Sequence, residues 1–124
     1  MAFPWVGGSV TRLMPTAESV ELMALVEDFA DRELAPRAAE AEAESRFPRE
    51  LLRELGGLGV LGLPFDASFG GAEQSYEVSL QVLEEIARAW LALGVSVSVH
   101  WLSCFPLAAF GSWEQRERWL ADMV

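Results

Sequence analysis

Few side chains in this sequence have the types needed for chemistry, and each lacks an evident partner. Glu84 and Glu85 are adjacent carboxylates of the kind used in general acid–base work. Neighbours on a helix point about 100° apart, so the pair converges poorly on one substrate atom and reads as solvated surface. His100 is the only histidine and Cys104 the only cysteine, which leaves no usual metal-ligand cluster and no intrachain disulfide, and fits a reducing, cytoplasmic setting. With no acid evident beside it, His100 is expected to pack or hydrogen-bond within a helical layer rather than move protons. All nine basic residues are Arg, so a Walker A lysine or a Schiff-base lysine cannot come from this chain.

Two further patterns invite a ligand and lose to plainer readings. Gly57, Gly59 and Gly62 spell the dinucleotide fingerprint GxGxxG, but that motif needs a strand before it and a helix after it. Here a helical pattern enters and Leu63-Pro64 leaves, so the glycines read as a tight turn beneath packed helices. The Ala/Glu run from Ala38 to Glu44 reads as a solvated helix face, not a metal or partner site. A net charge of -10 repels phosphate backbones and anionic headgroups, which excludes nucleic acid and acidic membrane surfaces as partners.

The elements that must position these residues are helical. Its 124 residues, 52% of them hydrophobic, suffice for one domain with a core. Residues 1–14 have no basic start followed by a long apolar stretch, so they read as a flexible arm rather than a signal peptide, ahead of a domain over 15–124. Thr16 caps a helix with Leu22, Met23, Val26, Phe29 and Ala30 on its inner face, and Pro36 breaks or kinks it. Phe47-Pro48 restarts a helix that buries Leu51, Leu52 and Leu55 and ends at Gly56 and Gly57. Residues 63–75 form an ordered turn; Ser75 then caps a helix with Tyr76, Leu80, Leu83, Ala87 and Trp90 as its core stripe. Ser112 and Gln115 form a capping box that opens a last helix containing Trp119 and Leu120.

Between Arg88 and Glu114 runs an uncharged segment of about 25 residues, long enough to suggest a single-pass membrane anchor. Pro106 and Gly111 interrupt it, Ser96, Ser98, His100 and Ser103 dilute it, and both flanks mix acids with Arg, so no basic flank fixes an orientation. No membrane span is therefore expected. GVSVSVH alternates like a strand, but the flanking helices favour a helix, protein-buried and broken near Pro106. Gly94, Ser98 and Leu102 then fall at i, i+4 and i+8, with small residues leaving a groove for a helix or a slender apolar ligand. If Gly94 and Ser98 face solvent, the pocket reading fails.

Three stretches in order carry a resemblance: FADRELAPRAAEAEAESRFPRELLRELGGLGVLGLPFDASFGG, the EEIA of Glu84 to Ala87, and PLAAFGSWEQRERWL of Pro106 to Leu120. From about Leu25 to Val124 the chain resembles the N-terminal helical domain of flavin-dependent acyl-CoA dehydrogenases. One departure is LPFD, where that family usually has an acid directly after the proline. The resemblance implies an all-α, up-and-down bundle of about five to six helices within an FAD enzyme that makes a 2,3 double bond in an acyl-CoA. In it a carboxylate takes the α-proton, hydride passes to the flavin, and electrons go on to electron-transfer flavoprotein or a similar acceptor from a homo- or hetero-oligomer. The middle β-domain and second helical domain, which hold the flavin and the catalytic carboxylate, have no counterpart here, so no catalytic or cofactor-binding residue is expected in this chain. The chain alone is expected neither to hold FAD nor to turn over substrate, whether it is a piece of a longer enzyme, a short protein or a partner of another subunit. By position, Gly94, Val95, Ser98 and Leu102 would face the acyl tail, and the two small residues imply a deep pocket for long, branched or ring-bearing groups. A non-catalytic helical interaction module is the other reading.

Overall fold

A computed structural model describes residues 11–124; residues 1–10, which make up most of the expected arm, lie outside the described residues. Five helices are present among the described residues, with no strand. Helix α1 spans residues 17–43, α2 is Arg49–Gly57, α3 is Tyr76–Ala89, α4 is Leu91–Phe110, and α5 spans residues 113–123.

Local signals place the helix starts. Thr16 accepts from the Ser19 amide and Ser19 returns the bond, while Ser75 accepts from the Val78 amide and Ser112 exchanges bonds with Gln115, each satisfying an amide that the first helical turn leaves free. Of the two outcomes the sequence allowed, a break or a kink, Pro36 does not break α1. Proline has no N–H, and its ring crowds the carbonyl four residues back, so the turn ahead of it, Ala30–Leu34, widens to a π-turn in which the Ala35 amide reaches the Ala30 carbonyl. The helix then continues to Ala43.

The glycine motif sits in a turn. Gly57 ends α2, Gly59 adopts φ 81°, which a side chain disfavours, and the Val60 amide closes back on the Leu55 carbonyl. Gly62 packs closely against Val124 and Gly71, where an added Cβ would stand 3.0 to 3.3 Å from their atoms. Residues 62–74 form an ordered loop around a 3-10 turn, Ala67–Phe69, held by Asp66 accepting from the Ser68 amide and by backbone bonds from Ala72, Glu73 and Gln74 to Gly62, Phe65 and Leu63. The Ser68 bonds hold the Asp66 carboxyl below its ordinary range.

One core joins all five helices: Met23, Val26, Ala30 and Leu34 from α1, Leu51 and Leu55 from α2, Val82 and Ile86 from α3, Leu93, Val97 and Trp101 from α4, and Leu120 from α5. The inner residues expected on α1 and α2 are the buried or half-buried ones. On α3 the expected stripe is corrected. Tyr76 and Leu80 are exposed, and Val78, Ser79, Val82, Glu85 and Ile86 face inward, because α3 lies between α1 on one side and α4 on the other. Trp90, extended between α3 and α4, turns the chain back on itself and donates its indole N–H to Glu42 at 2.9 Å.

Candidate functional site

Helix α4 is the element that the uncharged segment builds. It has 20 residues, is long and apolar enough to cross a membrane by length and composition alone, and keeps most of its residues outside the core. The expectation of a protein-buried helix broken near Pro106 is thus corrected on both counts. The helix runs through Pro106 to Phe110, and only one face enters the core. Pro106 is exposed, where water can serve the Leu102 carbonyl that the missing N–H leaves free. The Ser96 and Ser103 hydroxyls donate to the Ala92 and Val99 carbonyls at 2.7 and 2.9 Å, which is how a helix of this apolarity carries them.

The buried face consists of Leu93, Gly94, Val97, Trp101 and Cys104. Trp101 donates its indole N–H to the Val60 carbonyl at 3.1 Å, tying α4 to the glycine turn. Leu91, Val95, Ser98, Leu102 and Phe105, spaced i, i+4, i+7, i+11 and i+14, form a second stripe that is open, with Val95 52% and Leu102 69% exposed. Phe105 stands edge-on to exposed Phe110, 6.4 Å between centroids.

Of the four residues expected to face a ligand, Val95, Ser98 and Leu102 share the open stripe and Gly94 does not. A Cβ on Gly94 would stand 2.6 Å from the Ala87 Cβ and 2.8 Å from its Cα, so this glycine permits α3 and α4 to touch. Steps of i+4 advance about 40° around a helix, enough to carry Gly94 onto the packed side while Leu102 stays on the open one.

The groups with chemical potential are engaged elsewhere. Glu85 is buried, not solvated as its neighbour is: Arg12 donates to its Oε2 at 2.6 Å and Arg88 to its Oε1 at 2.7 Å. Bonds from Arg88 to Glu85 and Asp31 raise the guanidinium's already high pKa. With both oxygens bonded to Arg and the side chain buried, Glu85 is held as a structural ion pair away from any substrate. Sequence reading missed it because Arg12 lies 73 residues away. His100, as expected, hydrogen-bonds within the helical layer, its Nε2–H donating to the Met123 carbonyl at 2.7 Å. The Cys104 sulfur lies 3.5 Å from that nitrogen, and burial pushes its thiol up to about 11, which keeps it protonated and unreactive near neutrality. Among the described residues no group of three or more His, Cys, Asp or Glu could hold a metal ion.

An exposed apolar stripe with its back in a core can line an apolar ligand or seat another part of a protein. Residues 16–124 match the family described as "Acyl-CoA dehydrogenase, N-terminal domain". The chain is 37% identical over 104 residues to the human mitochondrial short-chain specific acyl-CoA dehydrogenase, covering 83% of this chain and 25% of that protein. It is 33% identical over 110 residues to an acyl-CoA dehydrogenase of Bacillus subtilis, covering 88% of this chain and 29% of that one. Among solved structures, butyryl-CoA dehydrogenase of Megasphaera elsdenii superposes with a TM-score of 0.79 at 26% identity, covering 93% of this chain and 30% of that one. The glutaryl-CoA dehydrogenase of Mycobacterium smegmatis gives 0.79 at 33% identity, covering 87% and 28%. The chain thus spans under a third of each of these relatives.

Proposed function

The chain belongs to the acyl-CoA dehydrogenase family, as its N-terminal domain, and from that premise we propose that the open stripe of α4 walls the acyl-chain pocket of a flavin-dependent acyl-CoA dehydrogenase. The observation that carries this reading is the stripe itself: Val95, Ser98, Leu102 and Phe105 stand exposed on a helix whose other face is locked into the core. Burying such side chains is worth about 25 cal/mol per Å² of apolar surface, so a saturated tail lying along them gains affinity from water exclusion alone. The stripe has no charged side chain to meet a diphosphate, and so suits a tail better than a flavin. FAD would be held by other parts of such an enzyme and would supply the hydride acceptor. The contribution of this chain is to bind and orient: a tail held against α4 limits where the α and β carbons can lie. Transfer onward to electron-transfer flavoprotein or a similar acceptor, and assembly as an oligomer, belong to the same proposal.

The structure changes the substrate expectation. With Gly94 facing α3, Ser98 is the one small side chain of the original pair left on the stripe, and the argument for a deep pocket loses half its basis. The similar proteins carry short-chain, butyryl and glutaryl in their names, which favours short acyl groups for this one as well. The test is turnover by the complete enzyme over a ladder of straight, branched and ring-bearing acyl-CoA thioesters. We expect kcat/KM to peak near butyryl-CoA, and Ser98→Phe to lower it for longer chains by about tenfold, a loss of about 1.4 kcal/mol. A peak at long or branched chains restores the deep pocket, and a Ser98→Phe enzyme with an unchanged profile removes α4 from the pocket wall.

A further inference from the structure

We infer that residues 11–14 form a strap, latched to α3 by Arg12 across Glu84 and Glu85, that opens without unfolding the helical core. The guanidinium donates to Glu84 Oε2 and to Glu85 Oε2, each at 2.6 Å, and its side chain is only 12% exposed. One residue on, the backbone pairs with an amide side chain: Leu13 N–H donates to Gln81 Oε1 at 2.7 Å, and Gln81 Nε2 donates back to the Leu13 carbonyl at 3.0 Å. These bonds fix the direction of the strap along α3. Met14 alone of the four packs against the core, while Thr11 and Leu13 are exposed. The hold is thus mostly charge and hydrogen bonding, with little apolar area to make it cooperative with the bundle.

The second half of the network lowers the cost of opening. Glu85 is 5% exposed, and a buried carboxylate stripped of its only cation would be strongly destabilising. Here Arg88 holds the other oxygen of Glu85 and reaches Asp31 of α1 at 2.6 Å, so the buried charge keeps a partner when Arg12 leaves. Glu84, the other latch residue, is exposed and is solvated by water on release. When closed, the strap forms one wall of a groove of about 290 Å³ lined by Arg12, Met14, Val20, Met23, Ala24 and Glu27. Opening removes the Arg12 and Met14 walls and uncovers Met23 on α1.

Amide hydrogen exchange on the full chain, followed residue by residue, tests this without reference to the proposed activity. In Arg12→Gln the Leu13 amide should exchange about tenfold faster while the α3 amides of Val82 to Ile86 keep their rates. Glu84→Gln, which leaves the Glu85 bond, should give a smaller rise of about threefold. Salt near 1 M, where screening acts within about 3 Å, should speed the Leu13 amide in the unaltered chain. An unchanged Leu13 rate in Arg12→Gln overturns the latch. Acceleration of Leu13 and the α3 amides together overturns the strap, since residues 11–14 would then be part of the cooperative core.

Discussion

The two faces of α4 are alike in composition and opposite in surroundings. Leu93, Val97 and Trp101 lie in the core, while Val95, Leu102 and Phe105, on the same helix and as apolar, lie open. Apolarity therefore does not say where a side chain ends up; it says only that something other than water is a favourable neighbour. On the inner face that neighbour is α3, α2 and the glycine turn. On the outer face nothing among the described residues supplies it, and the proposed acyl tail fills that role.

The sharpest break of this comparison uses two consecutive residues. Trp101→Ala removes a buried indole and its bond to the Val60 carbonyl, and should cost about 3–5 kcal/mol of stability. Leu102→Ala removes a side chain that already faces solvent, and should stay within about 0.5 kcal/mol. Urea unfolding of the full chain with both variants reads the difference directly. Equal losses would mean that the outer face is packed against something in the chain as it exists in solution.

Gly94 marks the border between the faces. Alanine is the better helix former by about 1 kcal/mol, so an open Gly94 would gain from Gly94→Ala. Against that, the new Cβ meets the Cβ and Cα of Ala87 at 2.6 and 2.8 Å, and backbone atoms cannot rotate away. Overpacking of this kind costs about 1–3 kcal/mol, and the clash should win. Adding Ala87→Gly should recover only part of the loss, because the backbone of residue 87 still stands in the way. A neutral or stabilising Gly94→Ala in thermal unfolding would place Gly94 on the open stripe after all and restore its part in the pocket.

Legibility followed the range of the interactions. Thr16, Ser75 and Ser112 announce their helices because a cap and the amide it serves lie three residues apart. The GxGxxG of Gly57 to Gly62 could be dismissed from its flanks alone. By contrast, α3 carries two stripes apolar enough to be buried, and its position between α1 and α4, which selects Val78 and Val82 over Tyr76 and Leu80, is tertiary information. Glu85 looked like surface because Arg12 is distant in sequence. In α4 no charge marks an outer face, so periodicity could say helix and not which side is open, and the direction of Gly94 was lost with it.

The smallest loss expected on the inner face comes at Cys104. Its thiol, buried in the core, is pushed up to about 11 from an ordinary value near 9. Well below pH 9 the thiol is neutral in both folded and unfolded chains and adds no pH dependence. Between about pH 9 and 11 the unfolded chain ionises first, so stability falls as pH rises, by on the order of 1 kcal/mol. Comparing unfolding midpoints at pH 8 and 10.5 for the unaltered chain and Cys104→Ala isolates this effect from other titrating groups. The unaltered chain should lose more than the variant, and its thiol should resist alkylation at pH 8 until denaturant is added. Parallel losses, or rapid alkylation of the folded chain, would mean that water reaches Cys104, and with it that the inner face of α4 is no drier than the outer.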